Sequence, residues 1–195
     1  DSNASGLVQG SSDLPLSARG GIQAGLVGAH VKQNYDVDVV ITSDRSRCIE
    51  TANAISASAV PTPLLRELDF GSWEGKKWSD LRSDYPEDID RMMSYDPGFA
   101  PPDGETISSM DNRLETAIIE YDLRQPSRTT VVVSHDGVLR SLIASILGWP
   151  AKSRENMSLF NGGISTIYFS DKAPRLDLLN HYDHVSSTYE ESVIT

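Results

Sequence analysis

The sequence predicts an α/β fold: a three-layer α/β/α sandwich with a mostly parallel central sheet. Short β-branched runs alternate with segments of helical periodicity along the chain, which favours helices on both faces of one sheet. Two of these runs end in polar residues where a helix begins, as strands of parallel sheets do. A length of 195 residues suffices for a large core, and we expect one domain over residues 1–195.

Local signals mark the ends of the predicted elements. Ser17 can cap a helix in which Ile22, Leu26 and Val27 share one face. In the first half of the chain we expect a loop over 1–16, a helix over 17–34, a strand over 37–42, a helix from 43 or 44 to 55, and a break at Pro61 and Pro63. Short helices within 76–103 and a helix over 106–123 should follow, and then a strand over 129–134 with a helix after it. We expect the last strands over 164–169 and 175–179, the second of them antiparallel, and a polar, mobile tail after 180.

Charge and composition exclude several classes of function. A net charge of −11 and a pI near 4.7 argue against binding nucleic acid or an anionic membrane through a broad surface. The sequence contains no apolar stretch of about 18 residues, so we expect no membrane span. The single cysteine, Cys48, excludes an internal disulfide, fits a cytoplasmic location and is interpreted as a small buried helical residue. Any phosphate site must therefore be a small basic pocket within an acidic surface.

A histidine follows the most apolar of the predicted strands. Residues 131–133 are three valines, and Ser134 and His135 come directly before an apolar helix. The carboxyl ends of parallel strands are where open α/β sheets bind ligands, and helix amino-termini there favour anions. A titratable imidazole in this position suggests phosphate chemistry, and a structural histidine at a strand end is the alternative.

Two arginines lie just past another predicted strand. Arg45 and Arg47 are two residues apart at the start of a helix, so one can face the crevice and the other the solvent. The planar guanidinium group donates parallel hydrogen bonds to phosphate and keeps its charge. A surface salt bridge is the alternative for either arginine.

A compact loop over residues 65–75 carries three carboxylates among two glycines and two aromatic residues. Glu67, Asp69 or Glu74 could act as a general acid if burial or a neighbouring anion raises its pKa. A turn over residues 101–106 caps the next helix, and a role for its Glu105 near the pocket is a weaker hypothesis.

Together these segments resemble the histidine phosphatase superfamily, with its phosphoglycerate-mutase-like fold. The family has a strand ending in Arg-His-Gly-Glu, which would precede Asp1 here. The matching segments are Asp1-Ser2-Asn3, Gln9-Gly10, Asp13-Leu14-Pro15-Leu16, Gly21-Ile22-Gln23-Ala24, the Ser43, Arg47 and Thr51-Ala52 set, Glu67 with Gly71-Ser72-Trp73-Glu74-Gly75, Gly104-Glu105 and Ser134-His135.

The resemblance implies a metal-independent phosphomonoesterase of the histidine acid phosphatase type, acting on a small phosphorylated metabolite. The nucleophilic histidine is expected just before Asp1, and its strand would be central in the sheet. Arg47 and His135 would hold the phosphoryl oxygens, His135 as imidazolium or through a neutral N–H. Asn3, Gln9 and Gly10 match positions near the phosphate and the substrate entrance. No cofactor and no metal are implied.

Three questions stay open at this point. Glu67 matches the family's proton donor, although a His-Asp pair such as His135 and Asp136 supplies it in the acid-phosphatase branch. Leu68 and Phe70 stand where mutases carry an anion-gripping arginine and tyrosine, which favours a phosphatase over a phosphoglycerate mutase. A catalytically inactive relative that binds a phosphorylated ligand or a partner is the third reading, and a homodimer is one option for the oligomeric state.

Two further groups of residues have competing interpretations. Five large apolar residues can form either a lid on the substrate side or plain core, namely Trp73, Trp78, Met92, Met93 and Phe99. His30, His181 and His184 are interpreted as structural or solvated residues.

Overall fold

A three-stranded parallel sheet lies at the centre of the computed structural model, which describes residues 6–189. Strand β1 (Val39–Ser43) lies between β2 (Val60–Thr62) and β3 (Thr130–Val133). Both pairings are parallel, with Ile41 opposite Val60 on one side and opposite Val132 on the other. The predicted α/β fold with a parallel sheet is thereby confirmed.

Six α-helices surround the strands among the described residues, and each falls within a predicted helical segment. Ser17 caps the first helix, because its hydroxyl accepts a hydrogen bond from the Gly20 amide at 3.0 Å. The helices are α1 (Ala18–Asn34), α2 (Ser46–Ile55), α3 (Trp78–Asp84), α4 (Pro86–Met93), α5 (Ile107–Glu120) and α6 (Asp136–Leu147), and short 3-10 helices span Pro63–Leu65, Gly71–Trp73, Ala151–Asn156 and Asp183–Thr188.

Alternating side chains of β1 and β3 divide the core between two faces of the sheet. Val40 and Val131 pack into a cluster with residues of α1 and α2. Ile41 and Val132 point the other way, into a larger cluster with residues of α5 and α6. This period-2 alternation produces the predicted layer of helices on each face.

The predicted break at Pro61 is wrong, because Val60, Pro61 and Thr62 form strand β2. Proline has no backbone N–H, so it is tolerated only where a strand needs no donor on one side. In the described sheet β2 pairs with β1 alone, and Pro61 is exposed at that edge. The strand therefore accepts a residue that favours a break when the sequence is taken alone.

Strands β4 (Ile164–Tyr168) and β5 (Arg175–His181) form a separate antiparallel pair. The antiparallel pairing is as predicted, but neither strand is hydrogen-bonded to the three-stranded sheet in residues 6–189. A cavity of about 1830 Å³ lies between the antiparallel pair and the three-stranded sheet, with β3 lining one side and β4 the other. This is the place where the resemblance implies a central strand.

Two local predictions are wrong. Ile22 is 61% exposed, because α1 turns Gln23, Ala24 and Val27 to the core instead. The chain after residue 180 is also not a free polar tail up to residue 189, since Val185 is fully buried against α1. Tyr182 and Tyr189 pack against the same cluster as Val185, but three apolar residues among polar ones give too weak a period to be seen in the sequence.

The helices of residues 6–189 include none that is both long enough and apolar enough to cross a membrane. Asn3, expected near the phosphate, lies outside the described residues.

Candidate active site

The sheet register brings the ends of β1 and β3 side by side. Thr42 lies opposite Val133, so Ser43 and His135 both lie at the carboxyl end of the parallel strands. Nε2 of His135 lies 3.0 Å from Oγ of Ser43. His135 is also the N-cap residue of α6, which puts its imidazole beside the positive end of that helix.

Arg47 completes a basic pair with this histidine. It lies in the first turn of α2, and its Nη2 is 3.1 Å from Nδ1 of His135. A guanidinium group only donates, so Nδ1 must accept, and the proton of the neutral ring is on Nε2, facing Ser43. The guanidinium also donates to the carbonyl oxygens of Ser12 at 2.8 Å and Gly10 at 3.2 Å. Its position is therefore fixed from two sides.

The surroundings of His135 keep its imidazole uncharged. Only 8% of the residue is exposed. Burial first, and then the positive charge of Arg47, lower the pKa of His135 from 6.5 to about 3. In this state His135 donates one N–H, and an arriving phosphate dianion would raise its pKa again.

Glu67 lies beside the amino-terminus of α6. Its Oε1 accepts a hydrogen bond from the Leu68 amide at 2.9 Å, and its Oε2 accepts one from the Gly137 amide at 3.1 Å. The removal of its carboxyl group from water raises the pKa of Glu67 despite these two bonds. A Cβ atom at position 137 would lie 2.8 Å from Oε1 of Glu67, so glycine permits this approach.

Glu74 anchors the loop that holds Arg47. Its Oε1 accepts hydrogen bonds from the amides of Gly10 at 2.9 Å and Ser11 at 2.8 Å. Gly10 packs so closely that an added Cβ would lie 2.1 Å from the Leu68 carbonyl oxygen. Of the three carboxylates in the 65–75 loop, Glu74 thus has a structural role that the sequence did not distinguish.

Glu105 and Arg113 support the backbone of Glu67. They form a largely buried ion pair with hydrogen bonds of 2.8 and 2.9 Å. Arg113 also donates to the carbonyl oxygens of Leu64 at 2.8 Å and Glu67 at 3.2 Å. Glu105 therefore reaches the site through Arg113.

Asp136 differs from Glu67 in its surroundings. Its side chain is half exposed and forms an ion pair with Arg140 one helical turn later, at 2.7 Å. Gln9 lines the large cavity, together with Arg47, Glu67, His135 and Asp136. Five of the six candidate site residues that the structure describes thus line one cavity. The sixth, Gly10, accepts a hydrogen bond from Arg47 through its carbonyl oxygen.

The five large apolar residues divide between the two roles considered above. Trp73 and Phe99 are each 1% exposed and belong to the core. Trp78, Met92 and Met93 line the cavity, and Met93 is 41% exposed. Met92 is only 9% exposed and belongs to the same core, so Trp78 and Met93 are the two placed to face a substrate.

Cys48 lies next to the site but is not reactive. Its sulfur is 3.6 Å from Nε2 of His135, and burial raises the pKa of the thiol to about 12. The thiolate, which is the nucleophilic form, is therefore not populated near neutral pH.

Residues 1–182 match the sequence profile of the histidine phosphatase superfamily (branch 1). The chain belongs to the histidine phosphatase superfamily. Among its relatives, the adenosylcobalamin/alpha-ribazole phosphatase of Escherichia coli is 31% identical over 91% of this chain and 89% of its own. A probable phosphoglycerate mutase of Yersinia enterocolitica is 30% identical over 87% of this chain and 80% of its own. The predicted family is thus confirmed.

A comparison with a crystal structure confirms the histidine phosphatase fold as well. The crystal structure of the alpha-ribazole phosphatase from Shigella flexneri superimposes with a TM-score of 0.79 and 30% identity, covering 92% of this chain and 90% of that one. These relationships support a phosphatase of the superfamily.

The resemblance singles out Ser43 and Glu74, but sequence reasoning missed the contacts by which they hold the site in place. Arg113 was missed altogether. The clamp formed by Glu74 and the support from Arg113 had no signal, since each joins segments far apart in the chain.

Proposed function

We propose that this histidine phosphatase hydrolyses a small phosphomonoester through a phosphohistidine intermediate, without a metal ion in the reaction. The observation that carries the proposal is the contact of Arg47 with His135 at 3.1 Å, where both residues line a large cavity together with the partly buried Glu67. A guanidinium group and an imidazole that lie side by side can each donate a hydrogen bond to the equatorial oxygens of a transferring phosphoryl group.

The nucleophile is a histidine in a segment immediately before Asp1, as the resemblance implies. Its ring nitrogen attacks phosphorus, a P–N bond forms and the ester P–O bond breaks. Water then attacks the phosphohistidine, the P–N bond breaks and inorganic phosphate leaves with the histidine restored. The cavity between β3 and β4 supports this assignment, because a strand inserted there would end beside Arg47 and His135.

Glu67 is the proposed acid and base. As a carboxylic acid it gives its proton to the departing alkoxide oxygen, and as a carboxylate it then accepts a proton from the attacking water. Its raised pKa supports the first role, because the protonated form persists to a higher pH. Burial raises the pKa of Asp136 as well, but its side chain is half exposed and held in the ion pair with Arg140, so it suits the role less well.

Phosphate hydrolysis is favoured over phosphate transfer by the residues after Glu67. Leu68 and Phe70 are 4% and 8% exposed and belong to the core cluster. Neither offers a donor for a second anionic group of the substrate. Phosphoserine, sugar phosphates, phosphoglycerates and nucleotide-loop phosphates are the candidate substrates, and the name of the Escherichia coli relative favours the last class.

The decisive experiment starts from the coding sequence upstream of Asp1. If it encodes Arg-His-Gly, the extended protein is assayed on a panel of phosphomonoesters with chelator present, and acid-labile phosphate on histidine is sought by rapid quenching. We expect turnover and a labelled histidine. Binding without turnover would favour an inactive phospho-ligand-binding relative. Transfer between two carbons of phosphoglycerate would favour a mutase, and either result would overturn the proposal.

A further inference from the structure

Three histidines from three different elements lie together at a place that includes none of the catalytic residues named above. His30 is on α1, His181 ends β5, and His184 is in the 3-10 helix Asp183–Thr188. A ring nitrogen from each lies within 4.8 Å of those of the other two. None of the three lines the cavity that contains Arg47 and His135.

The rings are half-buried and mutually oriented. Those of His30 and His184 are stacked with centroids 4.4 Å apart, and that of His181 lies 5.4 and 5.6 Å from these two. Two nitrogen ligands of a tetrahedral zinc ion lie ~3.3 Å apart, given Zn–N bonds of ~2.0–2.1 Å. Side-chain rotations that close each pair by at most ~1.5 Å would therefore form a three-nitrogen site.

His184 is already held in the form that a metal requires. Its Nε2 donates to the carbonyl oxygen of Gly162 at 2.9 Å, so the lone pair is on Nδ1. Nδ1 is buried and has no hydrogen-bond partner. A backbone carbonyl that receives the second ring N–H is the usual support of a metal-binding histidine, and an unpartnered buried nitrogen is otherwise costly.

We propose that His30, His181 and His184 form a binding site for a divalent transition-metal ion of the type that prefers imidazole, such as Zn²⁺. Imidazole ligands select zinc, nickel and copper over magnesium and calcium. The ion would join β5 and the 183–188 helix to α1, since each of the three elements supplies one ligand. The site is separate from the proposed reaction, which needs no metal.

The first test titrates the untagged full chain with Zn²⁺ by calorimetry, with Mg²⁺ as the control ion. We expect one equivalent of zinc, no binding of magnesium, and a melting temperature raised by ~5–10 °C at a hundredfold excess over the Kd. Absence of heat and of any thermal shift at 100 µM Zn²⁺, taken as a rough working limit for a three-imidazole site, would overturn the proposal.

Substitutions identify the ligands. We expect His30→Asn, His181→Asn and His184→Gln each to weaken zinc binding by at least ~10-fold. Glutamine at position 184 can still donate to Gly162 while it removes the Nδ1 lone pair. His135→Asn, which removes the fourth histidine of the sequence, is the matched control and keeps the affinity. Unchanged binding in the first three variants would overturn the proposal.

A measurement on the unsubstituted protein tests the same site even where a variant fails to fold. Imidazole ¹⁵N signals are followed as Zn²⁺ is added, and we expect those of three histidines to move while those of His135 stay. Movement of the His135 signals alone would place zinc at the catalytic site and contradict the proposal.

Discussion

At the scale of single residues, the site derives its properties from burial and from one neighbouring charge. His135 and Glu67 are ordinary titratable residues in the sequence, yet the fold lowers the pKa of the first and raises that of the second. The same cause acts in both cases, because loss of water disfavours the charged form of either group. The result is a neutral imidazole at His135 and a carboxyl group at Glu67 whose protonated form persists to a higher pH than in water.

Glu67→Gln tests the proton donor in the protein extended before Asp1. We expect kcat to fall by ~10²–10⁴-fold, since the amide can neither donate a proton to the alkoxide nor accept one from water. In the wild type, kcat should decrease as the pH rises through the raised pKa of Glu67, and this limb should vanish in the variant. Asp136→Asn is the matched control, expected within a few-fold of wild type, and a reversal of the two effects would assign the proton donor to Asp136.

His135 should make the stability depend on pH. Its folded-state pKa of about 3 lies below the ordinary 6.5, so the unfolded chain binds the extra proton between these values and stability falls on acidification. Between pH 7 and pH 5 we expect wild type to lose roughly 2 kcal/mol more of its unfolding free energy than His135→Asn. Urea denaturation at both pH values measures the difference, and equal losses would contradict it.

At the scale of elements, close backbone approach decides where glycine is needed. Helix α1 contains Gly25, where an added Cβ would meet nothing within 4 Å, and Gly28, where it would lie 2.3 Å from the Ala54 carbonyl oxygen of α2. The two positions are alike in the sequence. Only the packing of α1 on α2 separates them.

Alanine substitutions at these two glycines should have opposite effects. Gly25→Ala should stabilise the protein by about 0.5–1 kcal/mol, because alanine loses less backbone entropy in a helix. Gly28→Ala should destabilise it by about 1–3 kcal/mol, because α1 must move away from α2. Urea denaturation measures the change in unfolding free energy of both variants. Changes of the same sign would show that packing does not distinguish Gly25 from Gly28.

The loop clamp by Glu74 gives a second test at this scale. Glu74→Gln removes one acceptor for the amides of Gly10 and Ser11, whose loop carries two acceptors of Arg47. We expect weaker binding of inorganic phosphate, by ~3–10-fold, since Arg47 loses part of its positioning. Calorimetry measures the affinity, and Glu87→Gln on the exposed side of α4 should leave it unchanged.

At the scale of the whole molecule, the main feature is the separation of the two sheets. β1 has hydrogen-bonded neighbours on both sides, whereas β3 pairs with β1 alone and β4 with β5 alone in residues 6–189. Both free edges face the same cavity. Backbone groups at such edges bond to water or to another strand.

Hydrogen exchange should distinguish these strands. In the chain from Asp1 to Thr195 we expect amides of β1 to be protected and cavity-facing amides of β3 and β4 to exchange faster. When the chain is extended upstream, protection should appear in β3 and β4. Equal rates before and after extension would argue that no upstream strand enters the cavity.

The fold class, the helices and the segments that carry the chemistry follow from local features of the amino-acid sequence. Each of these depends on neighbours within a few residues: caps such as Ser17, the period of an apolar face, and polar residues at the end of a valine run. The family resemblance then implied roles for Arg47, Glu67 and His135, and all three roles stay predictions.

The residues that meet from distant parts of the chain are known only from the folded molecule. Pro61 became part of an edge strand, Glu74 became a backbone clamp, and three histidines spread between positions 30 and 184 became one cluster. None of these features has a local signal, because each depends on contacts across more than 15 residues of chain. Burial is likewise a property of the assembled core, so the shifted pKa values of His135 and Glu67 required the fold.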